Sequence, residues 1–325
     1  MPPGPLPRHA ARTLKIVIAI GLTAYVLWKT DFSSVVAAAA GADGRPLLVA
    51  LGLVIVDRIL MAWRWIALLD RDAGPLPPSS RLMRIFFVST FLSIFLPSGL
   101  GGDAVRAWSL SRENVQGSRA LASVVMDRLL GTISLVLLAA VGLFTAVSVI
   151  PVGVLAVAVG AAAAACGAAL AVVYSGGLER LLQRASMRLP VRLATPASRM
   201  VVALRAYSRR HGALFFVLLG SIAVNIVRVL QVYVLGVALG IEAPFFAYAA
   251  FVPLIVLVMQ LPITIFGLGT TQLAFWWFFG QVGVAEAEAV ALSVLFLGLG
   301  LIGALPGGVI YLFNPGRDSA GARVL

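Results

Sequence analysis

Charged residues are scarce, making up 12% of the 325 residues, about half the share found in a soluble globular protein. Together with 61% hydrophobic residues and a mean hydropathy of +1.01, this excludes an ordinary soluble domain and marks an integral membrane protein. Cysteine is almost absent. The single Cys166, in an alanine-rich apolar run, excludes a disulfide framework and reads as a small core residue. The two histidines, His9 and His211, lie in basic flanks, and no cluster rich in histidine, cysteine or paired carboxylates occurs. No metal site and no cofactor are therefore expected. No serine sits in a nucleophile elbow, and Gly101-Gly102-Asp103 lacks the spacing of a nucleotide-binding loop.

Acidic residues are also few, 13 against 25 basic ones, for a net charge of +12. Most of the positive charge lies outside the apolar runs, in the N-terminal arm, in 71–119 and in 180–210. Positive charge flanking apolar runs reports insertion topology and attraction to anionic headgroups, so no nucleic-acid partner is expected.

Apolar runs long enough to cross a membrane, roughly 20 residues, occur near 14–30, 46–69, 119–149, 152–174, 212–240 and 288–313. Arg8, Arg12 and Lys15 ahead of the first run partly imitate a signal peptide. Retention as a first span is the reading adopted, because it lets the basic loops share one side. Residues 178–189 set Leu178, Leu181, Leu182, Ala185 and Leu189 against Arg180, Arg184 and Arg188. They read as an interfacial amphipathic helix within a basic cytoplasmic segment, 175–211.

One skeleton occurs twice. Leu96-Pro97-Ser98-Gly99-Leu100-Gly101-Gly102-Asp103 returns as Leu261-Pro262 with Gly267-Leu268-Gly269. Irregular chain at membrane depth persists only where it is buried in protein or lines a watery cavity, so the two stretches are expected to face one shared cavity. Ile85–Leu96, twelve residues, covers about 18 Å as helix, short of a hydrocarbon core of about 30 Å. Arg71, Arg81 and Arg84 precede this broken segment and Arg106, Arg112 and Arg119 follow it, so it should enter and return on the cytoplasmic side. The second broken segment, 244–281, has no lysine, arginine or histidine and fits entry from the outer side. A full crossing by 245–261 is the alternative, made less comfortable by Pro253.

The expected fold is an all-α polytopic helical bundle forming a single domain over 1–325. It has about six full spans and two re-entrant helical hairpins in an inverted repeat, with halves near 14–149 and 152–313. That pattern belongs to transporters that alternate access around a mid-membrane site. Pro97, Gly99, Gly101, Gly102, Pro262, Gly267 and Gly269 are the expected gating turns.

An ionisable side chain at the bilayer centre costs about 2.5–3.5 kcal/mol on insertion scales, which makes it a functional candidate. Asp57 and Arg58 lie mid-way along 46–69, and Asn225, Arg228 and Gln231 form a stripe at helical spacing along 212–240. Arg58 and Arg228 occupy comparable places in the two halves and suit a lipid phosphate, because the guanidinium fork matches phosphate oxygens. The competing reading pairs Arg58 with a carboxylate on another helix and Arg228 with a backbone carbonyl. Arg64, between Trp63 and Trp65, reads as an interfacial anchor. Asp103 suits a helix cap; with Arg106, Asp127 and Arg128 it would alternatively form a polar gate. Thr264, Thr270, Thr271 and Gln272 offer neutral hydrogen bonds at the second turn. Phe275, Trp276, Trp277, Phe278 and Phe279 read as lipid-facing or belt residues.

Pro97-Ser98-Gly99-Leu100-Gly101-Gly102-Asp103 with Arg106, then Ala122-Ser123-Val124-Val125-Met126-Asp127-Arg128-Leu129-Leu130-Gly131, then Leu261-Pro262 and Gly267-Leu268-Gly269, form an ordered set. Through it nearly the whole chain resembles the flippase-like transmembrane domain of the lysylphosphatidylglycerol synthase family. The resemblance implies translocation of lipid between leaflets, expected in the bacterial inner membrane, and the charge pattern puts both termini on the cytoplasmic side. The implied partners are membrane lipids: an anionic or zwitterionic phospholipid, or a polyprenyl-phosphate-linked lipid. A homodimer or a lipid-synthase partner is a further expectation. The aminoacyltransferase domain is not in this sequence, so synthase activity is not expected. Relatives place a charge pair just after the second Gly-Leu-Gly, where this chain has Thr270-Thr271-Gln272. Two other readings stand beside the flippase: a membrane-embedded transferase using a lipid carrier, with Asp103 or Asp127 as base, and an accessory subunit of a lipid-modifying enzyme.

Overall fold

The computed structural model describes residues 40–69, 74–94, 96, 101–146, 202–260 and 269–313, and six further positions between 153 and 167. The expected first span at 14–30, most of 152–174, the amphipathic 178–189 and both termini lie outside the described residues, as do Pro97, Gly99, Pro262, Thr264 and Gly267.

The described secondary structure is helical, with no strand among these residues. In chain order the helices are α1 Gly44–Leu68, α2 Ser79–Leu92, α3 Gly101–Ser111, α4 Gly117–Ala146, α5 His211–Ala238, α6 Phe245–Met259, α7 Thr270–Gly280, α8 Glu286–Ile302 and α9 Leu305–Phe313. Four segments are long and apolar enough to cross a membrane: Gly44–Leu68, Gly117–Gly142, His211–Ala238 and Glu286–Phe313. They coincide with four of the six expected spans.

α1 is 25 residues long, about 37 Å. Asp43 caps it, its carboxylate accepting from the Arg45 N–H at 3.0 Å. The Asp43 N–H donates to the Ala238 carbonyl at 2.8 Å, and Arg210 Nη1 donates to the Leu68 carbonyl at 3.0 Å. The start of α1 therefore meets the end of α5, and its end meets the start of α5. These two helices, one from each half of the sequence, form an antiparallel pair stitched at both ends.

α2 and α3 make an antiparallel hairpin. At its open end Arg81 Nε contacts Glu113 Oε1 at 2.8 Å. Near its tip a Cβ on Gly102 would lie 2.5 Å from Ser93 Cβ, so only glycine lets the start of α3 lie this close to the end of α2. α6 and α7 form the second hairpin, zipped by aromatic rings: Tyr248 with Phe279 at 5.0 Å and Phe251 with Phe278 at 5.6 Å between centroids. At its tip Gly269 takes φ +81°, a left-handed conformation that suits glycine.

α6 ends part-way along α4. Thr132, sixteenth of the thirty residues of α4, donates through Oγ1 to Gln260 Oε1 at 3.0 Å, just beyond the end of α6. Close approach of the two helices depends on Gly142, where a Cβ would lie 2.5 Å from Ala250 Cα. Pro253 is accommodated inside α6. α9 packs on α2, with Gly307 against the Phe87 carbonyl and Gly308 against the Phe91 ring.

The aromatic run of α7 corrects the expectation of a lipid-facing belt. Phe275 and Phe279 are fully buried and stack with centroids 5.6 Å apart and rings 9° from parallel. Trp277 alone of the large rings described there is exposed. The reason is the hairpin itself: an eleven-residue helix folded between α6 and α8 has little lipid-facing surface to offer.

Candidate functional site

Residues of α1, α4, α5 and α8 line a cavity of about 320 Å³. Ser93 and Leu96 from the end of α2, Asp103 from α3, and Met259 and Gln260 from the end of α6 reach it. Thus chain on both sides of the first broken turn and before the second lines the same space, although the turn residues 97–100 and 261–268 lie outside the described residues.

Five arginines and three aspartates line this cavity, a surplus of two positive charges. They divide into two groups. In the first, Asp127 on α4 binds Arg64 Nε through Oδ1 at 2.8 Å and Arg106 Nη1 through Oδ2 at 3.6 Å. Arg64 also donates to Ser221 Oγ on α5 at 3.1 Å. Arg106 lies over the Phe86 ring at 4.5 Å and the Trp65 ring at 5.3 Å, a cation–π arrangement that adds to its burial among apolar side chains. Asp103 accepts from Arg128 Nε at 2.5 Å. Asp103, Arg106, Asp127 and Arg128 therefore do come together, joining α3 to α4.

The second group lies toward the middle of α1 and α5. Arg228 Nε donates to Asp57 Oδ1 at 3.1 Å, while Arg58 Nη1 stands 3.5 Å from Asp57 Oδ2. Arg58 Nη2 donates to the Gly300 carbonyl at 3.2 Å. Asn225 donates to Ser134 Oγ on α4 at 2.7 Å. The pairing reverses the roles weighed from sequence: Arg228 takes the carboxylate on another helix and Arg58 takes a backbone carbonyl. Gly303 leaves room for this, because a Cβ there would lie 2.9 Å from Arg58 Nε. Gln231 also faces the cavity. Its Nε2 is buried, without a hydrogen-bond partner, and so is Arg58 Nε.

Nine of the expected site residues, Asp57, Arg58, Asp103, Arg106, Asp127, Arg128, Asn225, Arg228 and Gln231, line the cavity. Thr271 and Gln272 are buried but do not line it. The Gln272 side chain accepts from the Gly269 N–H at 2.7 Å, tying down the start of α7 as an N-terminal capping group does. Arg64, read from sequence as an interfacial anchor, is a member of the site instead. Far from anchoring at an interface, it is 5% exposed and holds α1 to α4 and α5. Its signal was available: Asp57, Met61 and Arg64 stand at i, i+4 and i+7, one face of a helix. Gln260 and Gly300 were missed, and nothing in their local sequence announces a role.

The fold and this cavity define a polytopic helical membrane protein with a charged chamber among its spans. The chain belongs to the family described as lysylphosphatidylglycerol synthase TM region, whose model matches residues 12–307. The match is to a membrane region linked to lipid modification, and no catalytic domain is indicated along it. No curated protein matches the chain.

Proposed function

We propose that this protein moves lipids between the leaflets of the bacterial inner membrane as a flippase or scramblase, with the headgroup passing through the charged cavity and the tails staying in lipid. The observation that carries this reading is the cavity itself: opposed charges among apolar helices, with Ser93, Leu96 and Asp103 of the first hairpin and Met259 and Gln260 of the second reaching it. Charges in such a setting are costly and are ordinarily retained for transport. In this reading α2–α3 and α6–α7 are re-entrant hairpins entering from opposite sides, which agrees with α6 ending beside the middle of α4.

Sidedness follows from the arginines. Arg81, Arg112, Arg119, Arg209 and Arg210 flank the end of α1, the open end of the first hairpin and the starts of α4 and α5. The positive-inside rule then makes that end cytoplasmic, and both termini are assigned there. The transferase alternative draws no support from the geometry, because Asp57, Asp103 and Asp127 each already bind a guanidinium. Liposomes containing the purified protein and a headgroup-labelled lipid test the proposal. Faster leaflet exchange with protein than without is expected; equal exchange across several lipid classes overturns it.

A further inference from the structure

Every carboxylate that lines the cavity is taken. Asp57 serves Arg228 and Arg58, Asp127 serves Arg64 and Arg106, and Asp103 serves Arg128. Hydrogen-bond donors, by contrast, are in excess. Arg58 Nη1 and Arg228 Nη2 both point at Met61 Sδ, at 3.7 Å and 3.0 Å, and a thioether is a weak acceptor. Arg228 Nη1 reaches Asn225 Oδ1 only at 3.5 Å, and Arg58 Nε and Gln231 Nε2 have no acceptor at all. Gln231 lines the cavity and is 4% exposed, so its amide is withdrawn from bulk solvent beside the two arginines.

We infer that the cavity selects a lipid whose headgroup bears net negative charge on phosphate and carries no ammonium group, the phosphate oxygens seating between Arg58 and Arg228 beside Gln231. This rests on the proposed lipid translocation and narrows it to one class of cargo. Phosphate oxygens accept charge-assisted hydrogen bonds from guanidinium more strongly than a thioether does, so they displace the Met61 contacts at a gain. The surplus of two positive charges matches a phosphate monoester. An ammonium group finds the reverse: no uncommitted carboxylate and a net positive field. The lysyl ester in the family's description carries two ammonium groups against one phosphate, so such a headgroup meets this cavity with the wrong sign. The cavity volume of about 320 Å³ suits a phosphate with a few attached atoms.

Isothermal titration of the purified full chain in detergent tests this with four probes: dihexanoyl phosphatidic acid, dihexanoyl phosphatidylcholine, a lysyl ester of phosphatidylglycerol, and glycerol 3-phosphate. Phosphatidic acid should bind at least about tenfold more tightly than either ammonium-bearing lipid, the scale of one charge-assisted hydrogen bond. Gln231→Leu, which disturbs no ion pair, should weaken phosphatidic acid binding several-fold without lowering the unfolding temperature. Equal or tighter binding of phosphatidylcholine or the lysyl lipid overturns the inference. If glycerol 3-phosphate binds as tightly as phosphatidic acid, the site belongs to soluble phosphate and the lipid assignment fails. Leaflet exchange is measured separately in proteoliposomes with tail-labelled versions of the same lipids. Selective binding without exchange keeps the anion-selective site and overturns translocation. Exchange without selectivity keeps translocation and overturns the site.

Discussion

Arg228 on α5 reaches Asp57 on α1 through Nε at 3.1 Å, so the two halves of the sequence meet at one carboxylate, which Arg58 also approaches at 3.5 Å. The Asp57 side chain is 5% exposed and that of Arg228 is 21% exposed. Neither charge is well solvated, and each depends on the other for compensation.

Asp57→Asn should therefore destabilise the protein by about 3–5 kcal/mol, the usual effect of removing one partner from a buried pair. The double variant Asp57→Asn with Arg228→Gln should recover a substantial part of that loss, because the orphaned charge goes with its partner. Thermal unfolding in detergent measures both. Strictly additive losses in the double variant would show that the two side chains are not coupled.

The two carboxylates nearer the first hairpin should respond unequally. Arg64→Gln removes the 2.8 Å partner of Asp127 in a setting where both side chains are at most 7% exposed, and should cost about 3 kcal/mol or more. Arg128 has a side chain 44% exposed and Asp103 one only 10% exposed, so solvent screens the pairing while the stranded carboxylate still costs, and Arg128→Gln should cost about 1–2 kcal/mol, less than Arg64→Gln. Equal shifts in unfolding temperature would contradict this division.

Gly303→Ala adds a Cβ 2.5 Å from Val54 Cγ1 and 2.9 Å from Arg58 Nε. Overpacking of this kind costs about 1–3 kcal/mol, and here it also pushes Arg58 off the Gly300 carbonyl. Unfolding temperature and lipid exchange should fall together. Gly298→Ala, where nothing lies within 4 Å, is the matched control and should change neither.

Gln272→Ala tests where the second turn acts. It removes the side-chain acceptor for the Gly269 N–H and should cost about 1 kcal/mol, as loss of a helix cap does. Because Gln272 does not line the cavity, lipid preference in the binding assay should stay as it is. A changed preference would return Gln272 to the headgroup path.

Much of the architecture was legible because membranes impose simple rules. The apolar runs at 46–69, 119–149, 212–240 and 288–313 coincide with the four described spans, since length and hydropathy alone decide whether a helix can cross. Pro97 and the glycines around it, repeated at Pro262, marked interruptions near both hairpin tips for the same reason: few residue types break a helix so reliably. Asp57, Arg58 and Arg228 stood out because charge inside an apolar run is rare.

The failures have one physical origin. Arg64, placed between two tryptophans, resembled an anchor, and the rings of α7 resembled a belt, because a residue's own sequence reports its polarity and not its neighbours. Thr271 and Gln272 looked like cavity groups because they follow a broken turn, yet both are buried without lining the cavity, and Gln272 caps the start of α7.

From sequence alone, then, this protein is a polytopic helical membrane protein interrupted twice by related glycine-rich breaks and carrying a small set of intramembrane charges. Tertiary structure alone decides that Asp57 pairs with Arg228 and Asp127 with Arg64, that Gly300 and Gly303 seat Arg58, and that the cavity keeps a positive surplus. Those pairings depend on how each helix is rotated and how far it slides along its neighbours, over contacts 63 to 242 residues apart in sequence. Helical periodicity fixes which side chains share a face, but it does not say what that face meets.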